Sequence, residues 1–388
     1  MSGPELFGIH AEFILFALTL LGVAVFHHRT FEVALVGLTA ILALKFLTVT
    51  DFDLGHHLLK ESPILINLLG LLLGFAVLAR HFEDSQVPEI LPRYLPDDWK
   101  GGFVLLVMIF VLSSFLDNIA AAMIGGTVAL HVFRKRLDIG YLAAIVAASN
   151  AGGSGSVVGD TTTTMMWIEG VRAIDVLHAY FAAIPALLFF GVVAARQQHS
   201  YQPIQRDERG EHSVRWNRIA AVALILVGTI AANILLDFPA AGVWLGIVIA
   251  ALFTQTDWKI VPASLKGSLF LITLVTCASL MPVETLPSAS WQTAFGLGWV
   301  SAVFDNIPLT KLALDQGDYD WGMLAYAVGF GGSMIWFGSS AGVALSNMFP
   351  EAKSVVDWVR RGWHVAVGYV IGFLVLLALY GWHPRPIG

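Results

Sequence analysis

Charge is what this sequence has least of. Only 13% of its 388 residues are Asp, Glu, Lys or Arg, against 57% hydrophobic ones, and its mean hydropathy is +0.74. That leaves too little polar surface to coat a water-soluble globule of this size, which excludes that class and points to a polytopic membrane protein. The formal charge of −6 at pH 7 is set by loops and indicates neither a nucleic acid nor an acidic partner. Cysteine is nearly missing too: with Cys277 alone, an internal disulfide and a cysteine-based metal cluster are excluded. A basic stretch is lacking after Met1, where Glu5 and His10 stand instead, so the first apolar run is expected to be retained rather than cleaved.

Long apolar runs are abundant. A crossing helix takes roughly 20 such residues. Runs of that order lie at 8–26, 32–49, 63–82, 140–168, 174–195, 217–236, 239–256, 266–283, 322–345 and 362–381, predicting about ten transmembrane helices in an all-α fold. Two more, 102–132 and 291–314, are broken midway by polar residues: Ser113, Ser114, Asp117 and Asn118 in the first, and Ser301, Asp305, Asn306 and Pro308 in the second. They read as re-entrant helical hairpins whose polar tips are buried in protein.

These elements repeat. Each half reads three helices, hairpin, interrupted helix, helix. Ser113 to Ile119 aligns with Ser301 to Ile307, Gly152-Gly153-Ser154 with Gly331-Gly332-Ser333, and Gly159 with Gly338. With the N-terminus outside, every loop lysine and arginine but Lys60, Arg172, Lys311 and Arg385 falls inside, as the positive-inside bias expects. That orientation places both termini outside and runs the halves in opposite directions, the build of secondary transporters whose site lies between the repeats.

The stretch from Ser149 to Ile168 carries the chemistry. Gly152, Gly153, Gly155 and Gly159 loosen a helix at membrane depth, and unpaired peptide groups there cost several kcal/mol each unless something polar replaces the lost bonds. A bound cation is one replacement: freed carbonyls, the hydroxyls of Thr161, Thr162 and Thr163, and the carboxylate of Asp160 suit a hard ion such as sodium. Glycines also serve close helix packing, and threonines bond back to their own helix, so both readings stand side by side. The second half offers Gly331, Gly332, Gly338, Ser339 and Ser340 without a carboxylate, so its site is not equivalent.

Several polar residues have plainer readings. Lys45, charged within the second helix, reads as snorkelling or structurally paired. The pairs His27-His28 and His56-His57, together with His364 and the tryptophans near helix ends, read as interfacial anchors.

Asp-Asn at the hairpin tips, Asn150-Ala-Gly-Gly followed by Gly159-Asp-x-Thr-Thr-Thr-Met, and Gly331-Gly-Ser-x4-Gly-Ser-x-Ala-Gly-Val-Ala resemble the NhaD-type sodium/proton antiporters of the ion transporter superfamily. The resemblance runs from about Ser113 to Leu345. It implies a homodimer in the cell inner membrane with a scaffold domain and a mobile transport domain that works as an elevator. On this basis residues 1–100 and 217–288 are expected to form the scaffold. Residues 101–196 and 289–388 would carry the transport elements, and 197–216 an inside linker.

Three acids, Asp117, Asp160 and Asp305, would then meet in one cavity with Asn118, Asn150 and Asn306, where protons and sodium or lithium compete for the same oxygens. Such an exchanger needs no prosthetic group; its partners are sodium, protons and the lipid bilayer. An anion cargo on the same scaffold is the alternative. It would recruit helix N-termini and a cation such as Lys311. Proteolysis is a distant third: Gly152-Gly153-Ser154-Gly155 resembles the Gly-x-Ser-Gly of intramembrane serine proteases, but no histidine stands at that depth.

Overall fold

In a computed structural model of the protein, the described residues are all but 1–4, 7–8, 27–28, 50–51, 91–93, 205–212 and 388. Two-residue strands β1 (Glu5–Leu6) and β2 (Ile9–His10) pair antiparallel at the start, a feature the apolar pattern does not foretell. The first half continues with helices α1 (Ala11–Val25), α2 (Thr30–Thr48), α3 (Leu54–Asp84), a short α4 (Val87–Ile90), α5 (Trp99–Ser113) and α6 (Asn118–Val132). It closes with α7 (Ile139–Ser154), α8 (Thr161–Ile168), a short α9 (Ala173–Leu177) and α10 (Tyr180–Tyr201). The second half holds α11 (Trp216–Leu236), α12 (Pro239–Ala250), α13 (Ile260–Ser279), α14 (Trp291–Ser301) and α15 (Asn306–Gln316). After these come α16 (Trp321–Gly331), α17 (Ser340–Met348), α18 (Val355–Arg361) and α19 (Trp363–Tyr380).

The halves share one element order: three helices, a helix–turn–helix pair (α5/α6, α14/α15), a broken helix (α7/α8, α16/α17) and a final helix. Among the described residues, six helices are long and apolar enough to cross a membrane: α2, α3, α9 with α10, α11, α13 and α19; α1, α5, α6 and α12 are shorter apolar helices. The spans expected at 140–168 and 322–345 are therefore each two helices with a gap. The span expected at 239–256 stops at Ala250.

The helix expected from 63 begins nine residues earlier. Asp53 caps it by accepting from His56 N at 3.1 Å, and Pro63 sits inside it. Proline removes the bond to the carbonyl four residues back. The Ser62 hydroxyl supplies a substitute, donating to Leu59 O at 2.9 Å, so the helix continues.

Large apolar side chains face outward on the flanking helices and the turns that follow them, with Leu47 of α2 86% and Leu252, just past α12, 82% exposed. In water such a surface would drive aggregation; against lipid it is the expected exterior. At the other extreme, every residue of α16 is buried, and every residue of α7 from Gly140 to Ser154. These two helices pack on each other at the centre. Alanine and glycine along α7 let neighbouring backbones come close, which is how helices gain contact without a hydrophobic drive in lipid.

Some anchors expected at the interface are in fact interior. His364 is fully buried with no hydrogen-bond partner for either ring nitrogen, and Trp321 and Trp358 are buried as well, whereas Trp216 and Trp363 do face outward. His57 bonds Ser279 of α13 at 3.0 Å, and His27-His28 lie outside the described residues.

Candidate functional site: where the broken helices meet the hairpin tips

α7 ends at Ser154 and α8 starts at Thr161, leaving Gly155 to Asp160 without helical bonds. Gly155 caps α7, and Gly159 and its counterpart Gly338 lie in the gaps. The glycine pairs expected to unwind the backbone do something else. Gly152, Gly153 and Gly331 are helical, and Gly332 caps α16. A methyl group on Gly152 would strike the carbonyl oxygen of Phe110 in α5, and one on Gly331 the carbonyl of Gly298 in α14. Gly159 and Gly338 press likewise on the carbonyls of Ser113 and Ala302. Each hairpin thus lies backbone-to-backbone against its own broken helix, at a distance only glycine allows.

Asp160 caps α8. It is 2% exposed, and its Oδ1 accepts from Thr162 N at 2.9 Å and from the Thr162 hydroxyl at 3.0 Å. Its Oδ2 accepts from Asn118 Nδ2 at 2.9 Å. A carboxylate at a helix N-terminus is favoured by the helix dipole, typically by 0.3–1 kcal/mol, and charge-assisted bonds offset part of its desolvation.

The same Asn118 nitrogen lies 3.0 Å from Asn150 Oδ1, and Asn150 Nδ2 reaches across to Ser333 Oγ at 3.0 Å and Ser339 Oγ at 3.1 Å. Ser339 caps α17 as Asp160 caps α8, a hydroxyl where the first half has a carboxylate. One buried polar chain therefore joins the first hairpin tip to both broken helices. In the sequence Ser333 stands out only as the counterpart of Ser154 in the repeat; it follows Gly332, the C-cap of α16.

The threonines divide. Thr163 and Thr164 bond back into the gap, their hydroxyls donating to Ser156 O at 2.6 Å and Val157 O at 2.9 Å. Those carbonyls are satisfied by protein, so the freed-carbonyl reading does not hold for them. Thr162 bonds Asp160, and Thr161 is buried beside it.

The three aspartates do not pool their oxygens. Among the described residues no three His, Cys, Asp or Glu side chains are grouped to hold a metal ion. Asp160 is near enough to repel both Asp117 and Asp305. The tip acids, however, sit at the N-caps of α6 and α15, where helix N–H groups attract them: Asp305 accepts from Ile307 N at 3.0 Å, and from the Ser340 hydroxyl at a long 3.4 Å. Asn306, beside it, is 3% exposed and its Nδ2 has no partner.

Two of the three tip serines are structural by their bonds. Ser114 Oγ lies 3.1 Å from Gly152 O and accepts from Tyr180 Oη at 2.8 Å, Ser301 donates to Val328 O at 2.7 Å, and Ser113 Oγ is buried without a partner.

Lys311 is not at the tips. It is 1% exposed and ion-paired to Glu61 at 3.0 Å, Glu169 at 2.8 Å and Asp315 at 2.7 Å, so it supplies no cation to the cavity. Lys45 stacks 5.8 Å from the Phe52 ring centroid.

A fold of apolar helices broken at its buried centre, with hairpins laid against the breaks, is that of an integral multi-pass membrane transporter. The chain belongs to the family whose model is described as CitMHS, citrate transporter, which matches residues 13–331. It is similar to sodium/proton antiporter 1 of Arabidopsis thaliana, 26% identical over 86% of this chain but only 65% of that protein's length. It also resembles the Na(+)/H(+) antiporter NhaD of Vibrio parahaemolyticus, at 27% identity over 83% of this chain and 91% of the relative. NhaD of Alkalimonas amylolytica is 25% identical over 86% and 80%. The likeness to NhaD-type antiporters drawn from the motifs holds across most of the chain.

Proposed function

We propose that the protein exchanges sodium, or lithium, for protons across an inner (plasma) membrane, with both termini outside. The observation that carries the reading is Asp160: one deeply buried carboxylate at a helix break, surrounded by amide and hydroxyl groups and by no cationic side chain among its bonded partners. Asp160, Thr162, Asn118, Asn150, Ser333 and Ser339 offer oxygens of the hard kind that sodium prefers. The names of the antiporter relatives support the same cargo.

Exchange follows from competition. A buried carboxylate is tolerable at membrane depth when neutralised, by a proton or by a metal ion, and costly when bare. If the loaded unit crosses only in a neutralised form, a proton must return for each departure of the ion. Asp117 and Asp305, at the hairpin tips, add negative potential that draws cations toward Asp160. The hairpins and broken helices (101–196 and 289–388) are the moving unit of an elevator in this reading, the remaining long helices (1–100 and 217–288) its scaffold, and the working form is a homodimer.

The test is dissipation of an imposed pH gradient in inverted vesicles on adding sodium, lithium, potassium or citrate. A response to sodium and lithium that disappears in Asp160→Asn supports antiport. Citrate uptake with no cation response overturns it in favour of the second reading, an anion carrier. That reading is favoured by the family's name and by the unpartnered Asn306 Nδ2, a donor suited to an anion.

A further inference from the structure

Lys311 has one more acid than it needs. Buried among three carboxylates, it would be neutralised by one and held firmly by two, yet Glu61, Glu169 and Asp315 all lie within 3.0 Å of its Nζ. The three stand on different bodies. Asp315 is one turn along α15 from Lys311, and Glu169 is the residue that ends α8, which packs directly on α15. Both would travel with the second hairpin. Glu61 stands on α3, in the helices assigned to the scaffold, and its side chain is 8% exposed. Around this contact α3 packs on α8 and α13 packs on α15, so the ion pair bridges the seam between the two proposed units.

A buried ion pair broken by removing one partner is strongly destabilising because a bare charge is left behind. Here the lysine is insured against that: when α15 leaves α3, Glu169 and Asp315 go with it. Glu61 alone is released.

We propose that Glu61 and Lys311 form a releasable latch between scaffold and moving unit, which holds the conformation seen here and opens in each transport cycle. The latch rests on the elevator reading above, but not on the identity of the cargo.

The test reads conformation rather than transport. Leu252 and Val356 are exposed positions on the two proposed units, 82% and 74% accessible. Spin labels on Leu252→Cys and Val356→Cys, in a Cys277→Ser background and with labelled chains diluted among unlabelled ones, report the distance between the units. Glu61→Gln should raise the share of a second distance about fivefold. Glu169→Gln, which weakens a bond within the moving unit, should leave the share near that of the parent. An unchanged distribution in Glu61→Gln, or an equal rise in Glu169→Gln, overturns the latch. Distances that shift with sodium or pH but ignore Glu61→Gln sink the latch alone; distances that never shift sink the elevator reading with it.

Discussion

Asn150 in the first broken helix donates to Ser339 at the break in the second, 3.1 Å away and buried from solvent. The two halves of the chain are thereby joined at the point where both lose their helical bonds. An amide is suited to this place because it donates to the serines through one end and accepts from Asn118 through the other.

Replacing that amide is expected to loosen the whole centre. Asn150→Ala takes one bond each from Ser333, Ser339 and Asn118; Asn118 keeps Asp160 and Ser339 keeps Gly342 N, so the main loss falls at Ser333, and a buried group left unpaired costs about 1–3 kcal/mol. A drop in the detergent melting temperature, with weakened sodium dependence in vesicles, is the expected result; an unchanged melting temperature would show that water replaces the amide.

Asp160→Asn keeps the shape but removes the charge proposed to draw a cation. Sodium-driven dissipation of a pH gradient should fall to below about one-tenth of the parent while the protein still purifies as a folded species. Asp160→Glu keeps the charge on a longer arm and should retain part of the activity.

Competition fixes the sign of the pH dependence. On the proposed reading protons and sodium exclude each other at Asp160, so lowering the pH on the side where sodium binds should raise the apparent KM for sodium. The maximal rate at saturating sodium should change far less. A KM that is flat with pH, with rate alone falling, would mean that protons act elsewhere.

The close contacts predict a contrast between glycines. Gly152→Ala drives a methyl group into the Phe110 carbonyl, backbone against backbone, and should destabilise by about 1–3 kcal/mol or prevent folding. Gly267→Ala, exposed in α13 with nothing within 4 Å of the added carbon, should instead stabilise by about 0.5–1 kcal/mol. Thermal unfolding in detergent measures both.

Much of this fold could be read in the sequence because bilayers leave few choices. Apolar runs of membrane length, polar interruptions at matching offsets and the motif around Asp160 located the hairpins, the breaks and the acid at the centre. What could not be read were events that depend on which surfaces meet. The glycine pairs look like unwinding signals until Phe110 and Gly298 are seen pressed against them. Pro63 looks like a helix start until the Ser62 hydroxyl is seen closing the gap. Lys311 follows Asp305 by only six residues, yet a helix turns it away to partners 142 and 250 positions distant in the chain, Glu169 and Glu61. Both tip acids stand at the N-caps of the helices they precede, and Asp305 bonds the helix end through Ile307 N.

The fastening of each hairpin to its own broken helix, Gly152 on Phe110 and Gly331 on Gly298, bears on how such a protein tells one ion from another. In the exchanger proposed above, parts joined through their main chains would not splay open singly, so whatever rests between them would be gripped by one unvarying set of atoms on either face of the membrane. Discrimination would then be settled once, by the assembled cradle, with the two faces differing only in which solution reaches it.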